Sequence, residues 1–282
     1  MDADTHALRR VAFASFAGSA IEFYDFFIYG TAAALVFPKV FFPHLGPTMA
    51  TVASLGAFAS AFIARPVGGA VFGHFGDRIG RKRTLVVTLM VMGLSTLAVG
   101  LIPSAASIGL AAPSLLVVLR LLQGFAAGGE WAGAALLGSE YAPETRRGFY
   151  GMFPQLGIGA ALLMSNMAFL VTYTALGKTS AAFLSWGWRI PFLLSAVLIG
   201  IALFVRLRVR ETPVFSAVRS HTDVPVASLV REQPLQLVLA SGAAVAIFAM
   251  SYMAGTYFSN YAVSQLGYSE DVVLVVGVLT GV

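Results

Sequence analysis

Five ionisable side chains, Glu22, Asp25, Arg65, Arg120 and Glu130, fall inside long apolar stretches of this sequence. Each costs roughly 2.5–3.5 kcal/mol to place in hydrocarbon, so such groups face protein or water and mark ion or substrate handling. Glu22, Asp25 and Tyr29 recur at i, i+3 and i+7, which puts them on one stripe of an aromatic-rich helix. A second stretch carries Arg120, Gln123 and Glu130 together with the pairs Gly124/Gly128 and Gly129/Gly133, the small-xxx-small spacing of close helix contact. The two stretches form an opposite-sign set that can lie in one interior cavity, where a guanidinium binds a carboxylate and a buried acid carries a proton. The alternative is a neutralised ion-pair set that merely ties helices together. Buried pairs are a poor source of stability, which favours the functional reading.

These residues must be held by membrane helices. The 282 residues are 58% hydrophobic and 11% charged with mean hydropathy +0.82, against about 25% charged in a soluble domain. Apolar runs near 11–37, 50–73, 84–103, 113–138, 150–175, 190–206 and 235–262 each approach the ~20 residues that cross a bilayer as helix. Strand periodicity is absent, so an all-α polytopic membrane protein is expected. Thirteen Lys and Arg fall in the loops of one side and three on the other, which predicts a cytoplasmic N-terminus and an inner-membrane location. The same bias accounts for the net charge of +5 without nucleic acid. The absence of cysteine excludes disulfides and thiolate chemistry. No HExxH or G-x-S-x-G constellation points to an enzyme, and no cofactor is expected beyond a coupling proton.

Three parts follow from the spacing: a six-helix bundle over 1–205, a cytoplasmic central linker over 206–234, and a further part over 235–282 holding a seventh helix and an incomplete eighth. Ser269, Glu270 and Asp271 give the last helix a capping hydroxyl and first-turn acids. The ~12 residues after them reach about 18 Å, against the ~30 Å of hydrocarbon. The stub is expected to need a second half or a second copy.

Between the second and third spans, Gly73, Asp77, Arg78, Gly80, Arg81 and Lys82 spell a glycine-turned loop whose acid sits among cations. It can cap a neighbouring helix end and switch partners between two states; an ordinary positive-inside cluster explains its cations alone. Three further residues stay open: Arg65, facing the cavity or snorkelling to the inner surface; Arg189, an interfacial anchor beside Trp186 and Trp188 or a gate; and Tyr257 which, with Tyr261, packs or lines the cavity.

The G-x-x-x-D-R-x-G-R-[KR] pattern of Gly73 to Lys82, joined to Arg120-x-x-Gln123-Gly124, resembles the major facilitator superfamily. The segments Ile21 to Gly30, Arg65-Pro66-Val-Gly68-Gly69, Gly128-Gly129-Glu130-Trp131, Arg147-Gly148-Phe-Tyr150, Trp186 to Phe192 and Arg210-Glu211-Thr-Pro213 resemble its metabolite:proton symporter branch, which takes up dicarboxylates, oxo acids, shikimate and proline or betaine. The resemblance covers residues 10–265 and implies two six-helix halves, of which this chain would be a C-terminally truncated version. It further implies that Asp77, Arg78, Arg81 and Lys82 form a cytoplasmic gate, and that Glu22, Asp25, Arg120 and Glu130 handle protons and substrate. The expected function is proton-coupled symport of a small organic acid or zwitterion by alternating access, with the site at the junction of the halves. Its rivals are a passive facilitator and a truncated, non-transporting membrane protein.

Overall fold

A computed structural model describes residues 2–141, 144–177, 180–208 and 230–280, and no strand occurs among them. Eight helices carry the architecture. α1 is Asp2–Leu35, α2 Pro47–Ile79, α3 Arg81–Leu101 and α4 Ala111–Tyr141. α5 is Phe153–Leu176, α6 Ile190–Arg208, α7 Pro234–Tyr252 and α8 Glu270–Thr280. Short helices Phe37–Phe41, Ala105–Ile108, Arg147–Gly151 and Ala181–Ser185 turn the corners between crossings.

Backbone chemistry sets the turns. Pro47 starts α2 directly after Gly46, where a missing N–H costs nothing. The Ser180 hydroxyl accepts from the Phe183 N–H at 3.0 Å and so opens Ala181–Ser185. Gly177 ends α5 at φ 78.

Among the described residues, five segments, Pro47–Gly76, Lys82–Leu101, Ala111–Glu130, Gly148–Leu176 and Gly187–Val205, are long and apolar enough to cross a membrane. α1 is longer than any of them, at 34 residues, yet is diluted by Glu22, Asp25 and its hydroxyls. The weaker hydropathy of α1 has a packing cause. α1 is sheathed by α2, α4, α5 and α6, and Ile28, Tyr29, Ala32, Ala33 and Val36 are fully buried. A helix covered by other helices needs no lipophilic surface.

Glycine sets the closest approach in the bundle. A Cβ on Gly124 would lie 2.0 Å from the Ala61 carbonyl oxygen, and one on Gly128 would lie 2.2 Å from that of Arg65. α2 and α4 therefore meet backbone to backbone, as the sequence spacing predicts. At one end of the bundle the Trp188 ring lies 5.7 Å from those of Phe37 and Phe41 and 5.8 Å from that of Phe192. Such edge-on contacts of large rings lock the ends of α1 and α6 together.

α8, 11 residues long, packs on α5 and buries Leu274. Most of the expected central linker, residues 209–229, lies outside the described residues.

Candidate functional site

Three helices supply the polar lining of the interior cavity. α1 contributes Glu22 and Asp25, α2 Arg65, α4 Arg120 and Gln123, and these line a cavity closed by Phe26, Ala61, Met92, Gly124 and Ala127. Its volume is about 10 Å³, room for about one water and none for a metabolite. Gly124 has two roles here, since the missing side chain lets α4 touch α2 and leaves the cavity its wall.

Arg120 is 2% exposed. Its Nε donates to the Phe58 carbonyl at 3.1 Å and its Nη1 to Gln123 Oε1 at 3.2 Å. Its Cζ lies 4.3, 4.7 and 4.8 Å from the ring centroids of Tyr29, Phe58 and Phe26. Stacking against three rings and a forked donor set suit a planar guanidinium and not an ammonium. Arg65 Cζ sits 5.1 Å from the same Phe26 ring and 5.3 Å from Phe62. Between the two alternatives left by the sequence, Arg65 lies at the cavity.

Asp25 is equally enclosed. Thr96 Oγ1 donates to its Oδ2 at 2.8 Å and Ser195 Oγ to its Oδ1 at 2.7 Å. Gln123 Nε2 donates to Thr96 Oγ1 at 2.6 Å, so neutral side chains link the carboxylate of Asp25 to the guanidinium of Arg120. Thr96 and Ser195 are absent from the sequence-based set. Small hydroxyls are frequent in these helices, and most bond back to their own helix, as Thr88 does to the Leu85 carbonyl. No local signal separates the two that face a carboxylate.

The remaining expected residues distribute unevenly. Glu130 is fully buried but does not line the cavity; it is ten residues from Arg120, about 15 Å along α4. Tyr29 is fully buried, its ring under Arg120, and its hydroxyl has no partner among the described residues. It therefore contributes a π face. Arg189 donates from Nη1 to the Ser185 carbonyl and from Nη2 to the Ile102 carbonyl at 2.9 Å, clamping the end of α3 to the α5–α6 connection. Trp186 is exposed, while the Gly187–Arg189 turn sends Trp188 into the aromatic core.

One expectation changes with backbone geometry. The glycine-turned loop does not begin at Gly73, because α2 stays helical to Ile79 and the chain turns at Gly80 alone, with φ 102. A single left-handed residue is enough to join α2 to α3. Beyond it, Lys82 Nζ donates to the Leu207 carbonyl at 2.8 Å, reaching the last turn of α6; Arg78 is exposed, and the side chains of Asp77 and Arg81 lie outside the described set. Tyr257 is exposed and stacks on Tyr261. A π turn over Met253–Tyr257 adds a residue per turn and rotates the face that a helical period would assign to it.

Ser259 occupies the inward position instead. It borders a second cavity of about 30 Å³ with Thr31, Asn166, Leu274 and apolar neighbours from α1, α5 and α8.

An α-helical multi-pass fold with a buried, charged interior defines a polytopic membrane protein, and comparison with known proteins places it. Residues 11–230 match the family described as Sugar (and other) transporter, and the chain belongs to that family. It is 48% identical over 255 residues to the inner membrane metabolite transport protein YhjE of Escherichia coli, covering 89% of this chain and 58% of that protein. It is 42% identical to the shikimate transporter of Escherichia coli, over 97% of this chain and 63% of that one. The proline/betaine transporter of Salmonella typhimurium is 35% identical, over 99% and 58% respectively. The chain thus spans about three fifths of the length of these relatives. Among solved structures, the proton:xylose symporter XylE, bound to 6-bromo-6-deoxy-D-glucose, superposes with TM-score 0.72 at 17% identity, over 99% of this chain and 67% of that one. An inward-open structure of the xylose transporter XylE from E. coli gives 0.61 at 18%, over 83% and 54%. The fold is that of the major facilitator superfamily.

Proposed function

We propose that this protein is a secondary transporter that couples entry of a small carboxylate-bearing or zwitterionic metabolite to protons by alternating access, with Asp25 as the proton-carrying group. The observation that carries this reading is a carboxylate enclosed in a cavity too small for a metabolite. A group placed there can exchange a proton and little else. The names of the relatives, metabolite, shikimate and proline/betaine transporters, support the substrate class. Glu22, Arg65 and Arg120 line the same space and set the field in which the proton is held, with Glu130 one layer away.

In this reading the N-terminus is cytoplasmic, the Arg78–Lys82 turn gates the cytoplasmic side, and 1–205, 206–234 and 235–282 are the first bundle, the linker and the beginning of a second bundle. Energy comes from the proton gradient, with no nucleotide or metal. Cargo enters at the junction bordered by α1, α5 and α8, where a wall can move.

The test is uptake by membrane vesicles from cells expressing the protein, under an inward proton gradient, of labelled dicarboxylates, oxo acids, shikimate, proline and betaine. Accumulation of one of them that a protonophore abolishes is the expected result. Equilibration without accumulation would select a passive facilitator, and no entry of any would refute transport of this class.

A further inference from the structure

The hydrogen-bond chain from Arg120 to Asp25 has only one possible direction. Arginine donates and never accepts, so the Gln123 carbonyl must face Arg120 and its NH₂ must face Thr96. Thr96 Oγ1 is therefore an acceptor toward Gln123, and its single proton goes elsewhere. Two acceptors stand within reach, Asp25 Oδ2 at 2.8 Å and the Met92 carbonyl at 3.1 Å, one turn back on α3.

Ser195 differs. Its Oγ donates to Asp25 Oδ1 and forms no second hydrogen bond among the described residues. The carbonyl one turn before it, on Pro191, accepts from the Tyr24 hydroxyl at 2.9 Å and makes no hydrogen bond with Ser195. Of the two hydroxyls on the carboxylate, only Thr96 has somewhere else to turn.

We propose that Thr96 is a positioning residue that reads the protonation state of Asp25 and passes it to Arg120 through Gln123. This rests on the reading of Asp25 as the proton carrier. With Asp25 ionised, the Thr96 hydroxyl donates to Oδ2. A hydronium then gives its proton to Oδ2 and leaves as water. The new acid O–H donates to Thr96 Oγ1, whose own hydrogen swings to the Met92 carbonyl, while Oδ1 stays a carbonyl accepting from Ser195. Thr96 Oγ1 then accepts twice and donates once, its full capacity.

Both states are fully hydrogen-bonded, and only one hydroxyl hydrogen turns between them. The difference reaches Arg120. A hydroxyl donating to a carboxylate is polarised and accepts more strongly, so the Gln123 bond is tight when Asp25 is charged. It slackens when an acid competes for the same oxygen. The charged groups facing Asp25 are Arg120 and Glu130 from α4, with Glu22 and Arg65 on the shared cavity; α3 and α6 present it with the hydroxyls of Thr96 and Ser195.

The experiment follows the carboxyl C=O stretch by infrared difference spectroscopy during a pH titration of the whole chain in lipid vesicles. The band lost in Asp25→Asn is that of Asp25. Gln123→Met should move its midpoint by about half a pH unit or more when position 96 carries a hydroxyl, in wild type and in Thr96→Ser. The same change should have no measurable effect in Thr96→Val, with Thr96→Ala as the second hydroxyl-free background should Val fail to insert. An equal shift in the hydroxyl-free backgrounds overturns the relay alone. A titration in which Asp25→Asn removes no band overturns the relay and the assignment of the proton to Asp25 together.

Discussion

Two sides of α1 border two cavities of opposite character. On one side Glu22, Asp25 and Phe26 meet Arg65, Arg120 and Gln123 in a space of about 10 Å³. On the other, Phe27, Gly30, Thr31 and Ala34 meet Leu162, Asn166, Ser259 and Leu274 around about 30 Å³. The first is charged and walled by helices that glycine brings into backbone contact. The second is neutral, largely apolar, and bordered by α8 and the helical segment that follows α7. The contrast follows from the cost of charge in a bilayer: ionisable groups are tolerable where several helices shield them and supply partners, whereas a wall that moves has to be built from groups that survive exposure. In the proposed reading, proton handling and cargo handling belong on opposite faces of one helix.

The strongest way to break this contrast is to spoil the seal of the charged side. Gly128→Val forces a Cβ within 2.2 Å of the Arg65 carbonyl oxygen, whereas Gly73 has nothing within 4 Å of the same position. Gly128→Val should cost roughly 1–3 kcal/mol or more and appear as a large drop in melting temperature in detergent. Gly73→Ala should gain up to about 1 kcal/mol. Equal effects would contradict a glycine seal at the α2–α4 contact.

Arg120→Lys should reduce uptake by about tenfold or more, close to Arg120→Ala. A point ammonium cannot serve the Phe58 carbonyl and Gln123 together or stack on three rings. Near-normal uptake in the lysine variant would show that charge alone matters there.

On the neutral side, Asn166→Ala should change apparent substrate affinity several-fold, the worth of about 1 kcal/mol of hydrogen bonding. It should leave the titration of Asp25 where it was; a shifted Asp25 midpoint would merge the two cavities into one site. The smallest effect is expected of Lys82→Ala. Loss of its bond to the Leu207 carbonyl, at an exposed position, should stay within about 0.5 kcal/mol by thermal unfolding.

Much of this arrangement is legible in the sequence, because a charge in an apolar run has few allowed positions. That argument brings Glu22, Asp25 and Arg120 to one interior and also sends Glu130 there, which is buried but does not line the cavity; the glycine spacing of α4 marks its contact with α2. Other features depend on geometry that a period cannot encode. The π turn at Met253–Tyr257 moves Tyr257 outward and Ser259 inward. The short turn at Gly187 carries Trp188 into the core. α2 runs through Gly73 and Gly76 because neither is required to leave helical geometry, and only Gly80 does. Thr96 and Ser195 stay hidden because a hydroxyl's partner depends on which helix lies opposite.

The central claim, that Asp25 carries the coupled proton, is tested most directly by separating accumulation from exchange in Asp25→Asn. Vesicles containing the variant would be given labelled substrate twice, once under an inward proton gradient and once with excess unlabelled substrate inside and no gradient. The account predicts that gradient-driven accumulation is lost while exchange continues, because the amide keeps the hydrogen-bonding shape of the protonated acid but cannot release a proton. Accumulation at the wild-type level, abolished as before by a protonophore, would place the coupled proton on another residue and contradict the account.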